Sequence, residues 1–195
     1  MPFTLKTLAD LKQSLADRHE SNGTLPTSSA VLSYWIRLLN KGIAYCADRL
    51  KLTKSTSLIT ASGTIALPDD FLIIDSVFVD DQEYTKVSPF DKLAQVGTSY
   101  WITGNQTDGF SLNSPDDTTF TVSYVFKPEE LSSDSDVCII PDPEAPVAYA
   151  YAMIRKAESD PFEDADTALQ ECDSRLTEIK SADKINNNST NFTWN

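Results

Sequence analysis

Histidine is all but missing from this sequence: His19 is the only one in 195 residues. A site built from several imidazoles is therefore excluded, and since His19 falls at the polar end of a helical pattern, a histidine-based triad or proton shuttle is not expected. Cysteine is nearly as scarce. Cys46, Cys138 and Cys172 are odd in number and far apart, and none has a neighbouring cysteine or histidine in the sequence. No disulfide framework, zinc-ligand spacing or activated thiol is expected, and all three read as core residues of a chain folded in a reducing cytoplasm. The Asn-x-Ser/Thr triplets at Asn22, Asn105, Asn187, Asn188 and Asn191 then read as chance sequons.

The six glycines form neither a Gly-x-Gly-x-x-Gly nor a Gly-x-x-x-x-Gly-Lys-Ser/Thr loop, and no Gly-x-Ser-x-Gly elbow occurs. Phosphate cradles and nucleophile elbows lack their sequence signature. No apolar run approaches the roughly 18 residues that a membrane span needs, and the start, Met1-Pro-Phe-Thr-Leu-Lys, has no apolar core of a signal peptide. No membrane partner and no cofactor are expected.

Positive charge is also in short supply, with 16 Lys and Arg against 29 Asp and Glu for a net −13. The division is uneven: residues 1–56 carry +4, residues 57–128 carry −7, residues 129–178 carry −11 and the last 17 carry +1. The small basic excess is spread along helical patterns among acidic residues. It does not form the concentrated basic patch that nucleic-acid binding requires.

What is present is a regular alternation of patterns. Leu5, Leu8, Leu11 and Leu15 predict a helix over 4–20, with Thr4 as its N-cap. Val31, Trp35, Leu38, Leu39, Ile43, Cys46 and Leu50 predict a second over 28–51. From residue 57 the period becomes that of strands. Ser57–Thr60 and Thr64–Leu67 read as a hairpin around Gly63, Phe71–Val79 as a strand covered on both faces, and Pro89–Gln95 as a helical turn. Trp35 and Trp101 read as core. Phe120, Val122, Tyr124 and Phe126 alternate with smaller or polar residues, so they should form one face of a core strand.

Residues 127–146 read as an acidic, solvated connection. A third helix is expected over 144–159 on Val147, Tyr151 and Ile154. A fourth is expected over 162–182, whose seam is Phe162, Ala165, Leu169, Cys172, Leu176 and Ile179. With no βαβ alternation the class is α+β: the terminal helices form a bundle and a small antiparallel β-sandwich or barrel is inserted between them. The expected divisions are 1–56 (helices), 57–128 (inserted β domain), 129–184 (acidic loop and closing helices) and 185–195, an extended tail too polar to fold alone.

The acidic pairs Asp69-Asp70, Asp80-Asp81 and Asp116-Asp117 lie where strands must turn, a place that favours Asp for its bonds to the local backbone. They read as turns rather than as metal ligands or an acid/base pair. Asp134 and Asp136 lack the glycine and closing glutamate of a calcium loop. His19 reads as a solvated helix end. No catalytic residue or metal ligand is expected, and a structural or assembly subunit without enzymatic activity is the expected class.

In this order the sequence resembles the head-to-tail adaptor, or connector, proteins of tailed bacteriophages, including the tail tubular protein A type. The resemblance is carried by Gly63-Thr-Ile-Ala-Leu-Pro-Asp-Asp-Phe-Leu72, Tyr100-Trp-Ile-Thr-Gly104 and Phe120–Phe126 with Pro128-Glu-Glu-Leu131. It continues through Ile140-Pro-Asp142 and Ala148-Tyr-Ala-Tyr-Ala152, and spans about residues 4–184. It implies a ring, of about twelve copies, seated beneath a portal protein and joined on its far side to a tail tube or nozzle protein. It also implies a virion neck component, assembled in the host cytoplasm, with a channel for DNA passage without specific binding. Within that frame the tail residues Ile185, Asn191, Phe192 and Trp194 are the candidate portal-binding residues. A small-ligand or carbohydrate-binding β module and an acidic DNA mimic are the alternative classes.

Overall fold

The computed structural model describes residues 5–19, 23–59, 63–91, 97–115, 118–158, 162–187 and 193–194. The chain divides into two compact units, Met1–Leu50 with Pro128–Phe192, and Lys51–Lys127 with Thr193–Asn195. The first is helical, with α1 (Leu8–Arg18), α2 (Ser29–Leu50), α3 (Glu144–Ala157) and α4 (Phe162–Asn187). The second holds β1 (Thr53–Ile59), β2 (Thr64–Ala66), β3 (Phe71–Val79), β4 (Gln82–Glu83), β5 (Thr85–Lys86), β6 (Ser99–Asn105), β7 (Gly109–Asn113), β8 (Thr119–Phe126) and β9 (Thr193–Trp194). The α+β class is as the patterns predict.

In the helical unit α1 begins four residues later than its leucine spacing suggests. Thr7, not Thr4, is the N-cap, and its hydroxyl accepts from the Asp10 N–H while Asp10 accepts from the Thr7 N–H. That reciprocal box holds the Asp10 carboxyl below its usual range, chiefly through the Thr7 backbone bond. The acidic connection is not a solvated linker but the rest of this cap. Leu8 N–H donates to the Asp136 carbonyl at 2.8 Å, Ala9 N–H to the Asp134 carbonyl at 3.2 Å, and Cys138 N–H to the Lys6 carbonyl at 2.8 Å. Open first-turn amides of a helix need such partners. Asp136 is fixed in turn by the Ser132 and Ser133 N–H groups, which lower its pKa.

Helix α3 lies at the centre of this unit and packs on α4, α2 and α1. Its small residues make that possible: Ala145, Ala148, Ala150 and Ala152 are all fully buried. Tyr151, expected on the buried ridge, is only half-buried, and stacking over it places Arg155 inward instead. Gly42 of α2 meets Pro146 of α3 so closely that a Cβ there would stand 2.7 Å from the Pro146 carbonyl oxygen. The α4 seam also differs by one residue from the expected heptad-like spacing. Ala165, Ala168, Cys172, Leu176 and Ile179 are buried, whereas Leu169 is half-buried, so small Ala168 takes the inward place. The helix runs to Asn187, so Ile185 belongs to it and not to an extended tail.

The β unit is two sheets, ordered β4-β3-β8-β1-β9 and β2-β7-β6-β5. Strand β8 is the core strand that its alternation predicts: Phe120 and Val122 are fully buried, and Tyr124 and Phe126 nearly so. Among the described residues the expected hairpin pairing of Ser57–Thr60 with Thr64–Leu67 is not found. Strand β1 starts at Thr53 and pairs antiparallel with β8, while β2 pairs with β7. A local turn signal cannot reveal that a long-range partner offers the longer ladder.

Strand β3 is likewise not covered on both faces. Register shifts between Phe71 and Ile73 and between Ile74 and Ser76 turn Leu72 and Ile73 outward, 40% and 64% exposed. Trp101, expected in the core, is half-buried. Edge-on contacts of Phe71 with Phe110 at 5.4 Å and of Tyr84 with Phe120 at 5.3 Å fill the interior of this unit.

Candidate functional site

The sequence-predicted tail residues fall in three places. Ile185 is in the last turns of α4, Trp194 is in β9, and Asn191 and Phe192 lie outside the described residues. Strand β9 runs parallel to β1, with Thr193 opposite Thr53 and Trp194 opposite Lys54. Two residues of parallel ladder at a sheet edge are a small attachment. Of the four candidate residues the structure thus describes two, Ile185 in the helical unit and Trp194 in the β unit.

A second group of residues was not singled out by sequence. Ser88-Pro89-Phe90-Asp91 is a turn closed by the Asp91 N–H to the Ser88 carbonyl at 3.1 Å, and residues 92–95 of the helical turn expected over 89–95 lie outside the described residues. Phe90 stands at its tip, 93% exposed. Proline fixes the backbone before Phe90, so this aromatic is displayed by a stiff support. The Ser-Pro-x-Asp sequence is the signal that could have revealed it.

The helical unit carries a cleft of about 320 Å³ whose walls include Pro26, Val31, Tyr34, Trp35 and Ile154. Its rim holds His19, whose Nε2 lies 3.0 Å from Glu158 and whose ring lies 5.6 Å from that of Trp35. His19 is therefore a tie from the end of α1 to the end of α3, not a solvated bystander. In the β unit a cleft of about 560 Å³ is lined by Leu67, Asp69, Phe71, Gln106 and Lys127 among others. Phe71 is buried against Phe110 there and offers no flat face for a sugar ring.

The strongest electrostatic feature of the helical unit is a chain of ion pairs. Arg18 grips Glu171 with two bonds of 2.8 Å and reaches Glu144 at 3.2 Å, Lys6 bonds Glu144 at 2.6 Å, and Arg175 joins Glu171 to Asp142. The Arg18 fork, joined by Arg175, carries the Glu171 pKa down to about 2. Burial pushes Glu144 upward, but Lys6 and Arg18 outweigh it and leave Glu144 low. These carboxylates are ionised structural partners of α1, α3 and α4, not a general acid.

The remaining chemical candidates are structural as well. Asp70 bonds Lys54 at 2.8 Å and the Tyr124 hydroxyl at 3.0 Å; burial, then that bond, raises Tyr124 to about 12. Asp80 and Asp81 both have positive φ, 48° and 65°, which makes them the β3–β4 hairpin turn. Asp116 and Asp117 lie outside the described residues. Sequence distance hid one pairing: the Cys46 and Cys172 sulfurs meet at 3.9 Å in the helical core. That contact and burial push the Cys46 thiol up, and all three thiols are free. Among the described residues no group of three or more His, Cys, Asp or Glu could hold a metal ion, and no helix is long and apolar enough to cross a membrane.

Comparison with known families decides between the classes that this arrangement leaves open. The model of the family described as SU10 adaptor protein matches residues 6–192. This chain belongs to that family. The match bears out the resemblance to phage head-to-tail adaptors and gives this SU10 adaptor protein a structural role in a phage. The tail tubular protein A part of the resemblance goes beyond it. No curated protein matches the chain. For an SU10 adaptor protein the surfaces to explain are those that dock other proteins, and Phe90, the cleft between α2 and α3 and the C-terminal segment are the three candidates.

Proposed function

We propose that copies of this chain form a ring beneath the portal of a tailed phage, join it to a tail tube or nozzle protein, and enclose a channel through which DNA passes. The family match over residues 6–192 carries this reading. The ring holds about twelve copies, and a head-to-tail contact that closes on rotation generates such a ring. The net charge of −13 suits a conduit, because an acidic wall repels phosphates and lets the genome slide without sticking. The chain has no enzymatic activity of its own and acts in the virion neck.

The C-terminal segment is the portal latch. In the free subunit β9 is held on β1 by two residue pairs, an attachment weak enough to be exchanged. Asn191, Phe192 and Trp194 then dock on the portal, with Ile185 at the end of the supporting helix. Burying two aromatic side chains at roughly 1.5–3 kcal/mol each helps offset the ordering of the segment. Portal-bearing capsids incubated with the full chain should gain a ring of density below the portal. Copies ending at Asn187 should fold and melt as the full chain does, yet leave most portals bare. Full occupancy by the shortened copies would remove the latch, and absence of a ring with the full chain would remove the function.

A further inference from the structure

The helical unit is assembled from two stretches of chain, residues up to Leu50 and residues from Pro128 onward, with the β unit inserted between them. At one point the two stretches meet sulfur to sulfur. Cys46 of α2 and Cys172 of α4, 126 positions apart, bring their sulfurs to 3.9 Å with both side chains fully buried. The adjoining residues fix the register of this contact: the Tyr45 hydroxyl donates to Asp173 at 2.8 Å and accepts from Arg49 at 2.9 Å. We infer that Cys46 and Cys172 are a latent disulfide, open while the chain folds in a reducing cytoplasm and closed by peroxide once the particle reaches an oxidising medium, where it ties α2 to α4. The inference rests on the virion reading above. Closing the bond brings the sulfurs to the roughly 2.05 Å of a disulfide, an approach of about 2 Å that side-chain rotation and a small helix shift can supply.

Contact with Cys46 lowers the Cys172 thiol, aided by Arg49, against burial and the carboxylates of Asp173 and Glu171, while the same contact raises Cys46. Cys172 is thus the nucleophile and Cys46 the thiol that resolves it. The Cys172 thiolate attacks one peroxide oxygen, the O–O bond breaks, and hydroxide leaves as water with the proton that Cys172 gave up. The Cys46 sulfur then displaces hydroxide from the Cys172 sulfenic acid, forming the S–S bond, and its proton completes a second water. Two thiols lose two hydrogens and two electrons, and one peroxide becomes two waters. Hydrogen peroxide is hardly larger than water, so brief local openings of the α2–α4 packing admit it where bulkier reagents stay outside. Cys138 is as deeply buried but accepts from the Ile140 N–H instead, which makes it the internal control.

Intact mass and peptide mapping test this on the full chain. After hydrogen peroxide it should have lost two hydrogens, yield a Cys46–Cys172 cross-linked peptide with Cys138 still a thiol, and melt several degrees higher than the reduced chain. Cys46→Ala copies treated in the same way should give a dimedone adduct at Cys172, the sulfenic acid left without its resolving thiol. Refolding the parent from urea in oxidised glutathione removes access as a barrier and should produce the same bond. Glutathione adducts left on Cys46 or Cys172 after that refolding, or a bond from either to Cys138, would overturn the pairing. In host cells alkylated at lysis all three thiols should be free, and in particles purified without reductant the chain should carry the 46–172 bond. Particles whose chain keeps both thiols free would overturn the inference while leaving the virion reading standing. Particles that lack the chain altogether would overturn the virion reading, and the bond formed in the purified chain would stand without it.

Discussion

Replacing Gly42 by alanine should destabilise this protein, although the same change in a solvated helix interior would stabilise it. Helix propensity favours alanine over glycine by about 1 kcal/mol. Against that, the new Cβ would stand 2.7 Å from the Pro146 carbonyl oxygen, 3.1 Å from its Cα and 3.3 Å from its carbonyl carbon. All three are backbone atoms in the first turns of α3, so no side chain can swing aside, and α2 and α3 must move apart. That disturbs the central helix of the unit, on which α1 and α4 also pack. Overpacking of this kind costs about 1–3 kcal/mol or somewhat more. The net expectation is a loss of about 1–2 kcal/mol, a fall in Tm of several degrees. Thermal melting followed at 222 nm checks it, with Ser33→Ala on the exposed face of the same helix as the propensity control. A Tm for Gly42→Ala equal to or above that of Ser33→Ala would refute the close α2–α3 approach.

Leu176→Ala should cost about 2–5 kcal/mol because that side chain is buried in the α4 seam, and Leu169→Ala clearly less because Leu169 is half-buried; urea midpoints rank the two. Glu171→Gln should lower stability near pH 7 by about 1 kcal/mol, the upper end for partly solvated ion pairs. The folded pKa of Glu171 is depressed to about 2, so its contribution is complete above the unfolded value near 4.5 and fades as pH falls toward 2. Acid titration of the melting temperature should therefore show parent and Glu171→Gln curves converging across that window. Curves that stay parallel would exclude the Arg18–Glu171 bond as their difference. The buried thiols should resist Ellman's reagent until the helical unit unfolds, and reaction at the rate of an exposed thiol would contradict the packing of Cys46 against Cys172.

The class, the four helices and the core strand were legible because each rests on a local period: leucines at 8, 11 and 15, the apolar face of α2, and the alternation from Phe120 to Phe126. What was not legible depends on partners distant in sequence. The Thr7-x-x-Asp10 box is a local signal, but that the Asp134 and Asp136 carbonyls take up the Ala9 and Leu8 amides of the same helix start could not be read from the sequence. Strand β1 preferred β8 across sixty residues to its neighbour β2, since seven ladder positions outweigh a short hairpin. Leu169 and Ala168 show the same limit on a finer scale: heptad spacing favours the larger residue, but the smaller one is buried. The ion-pair chain from Lys6 to Asp142 joins α1, α3 and α4, and only its Glu171–Arg175 link is visible as an i,i+4 spacing. Phe90 was passed over because a lone aromatic beside a proline carries no period at all.

Assembly on the portal is the claim on which the functional reading stands, and mass measurement in solution tests it most directly. The purified chain should sediment as a monomer or small oligomer by itself, because the portal ring supplies the template that lines up successive copies. Added to purified portal rings, it should shift to a single complex whose added mass corresponds to one closed ring of about twelve 21.6 kDa subunits. A chain that stays monomeric beside portal rings at tens of micromolar, with no gain in mass on the portal, would contradict the account.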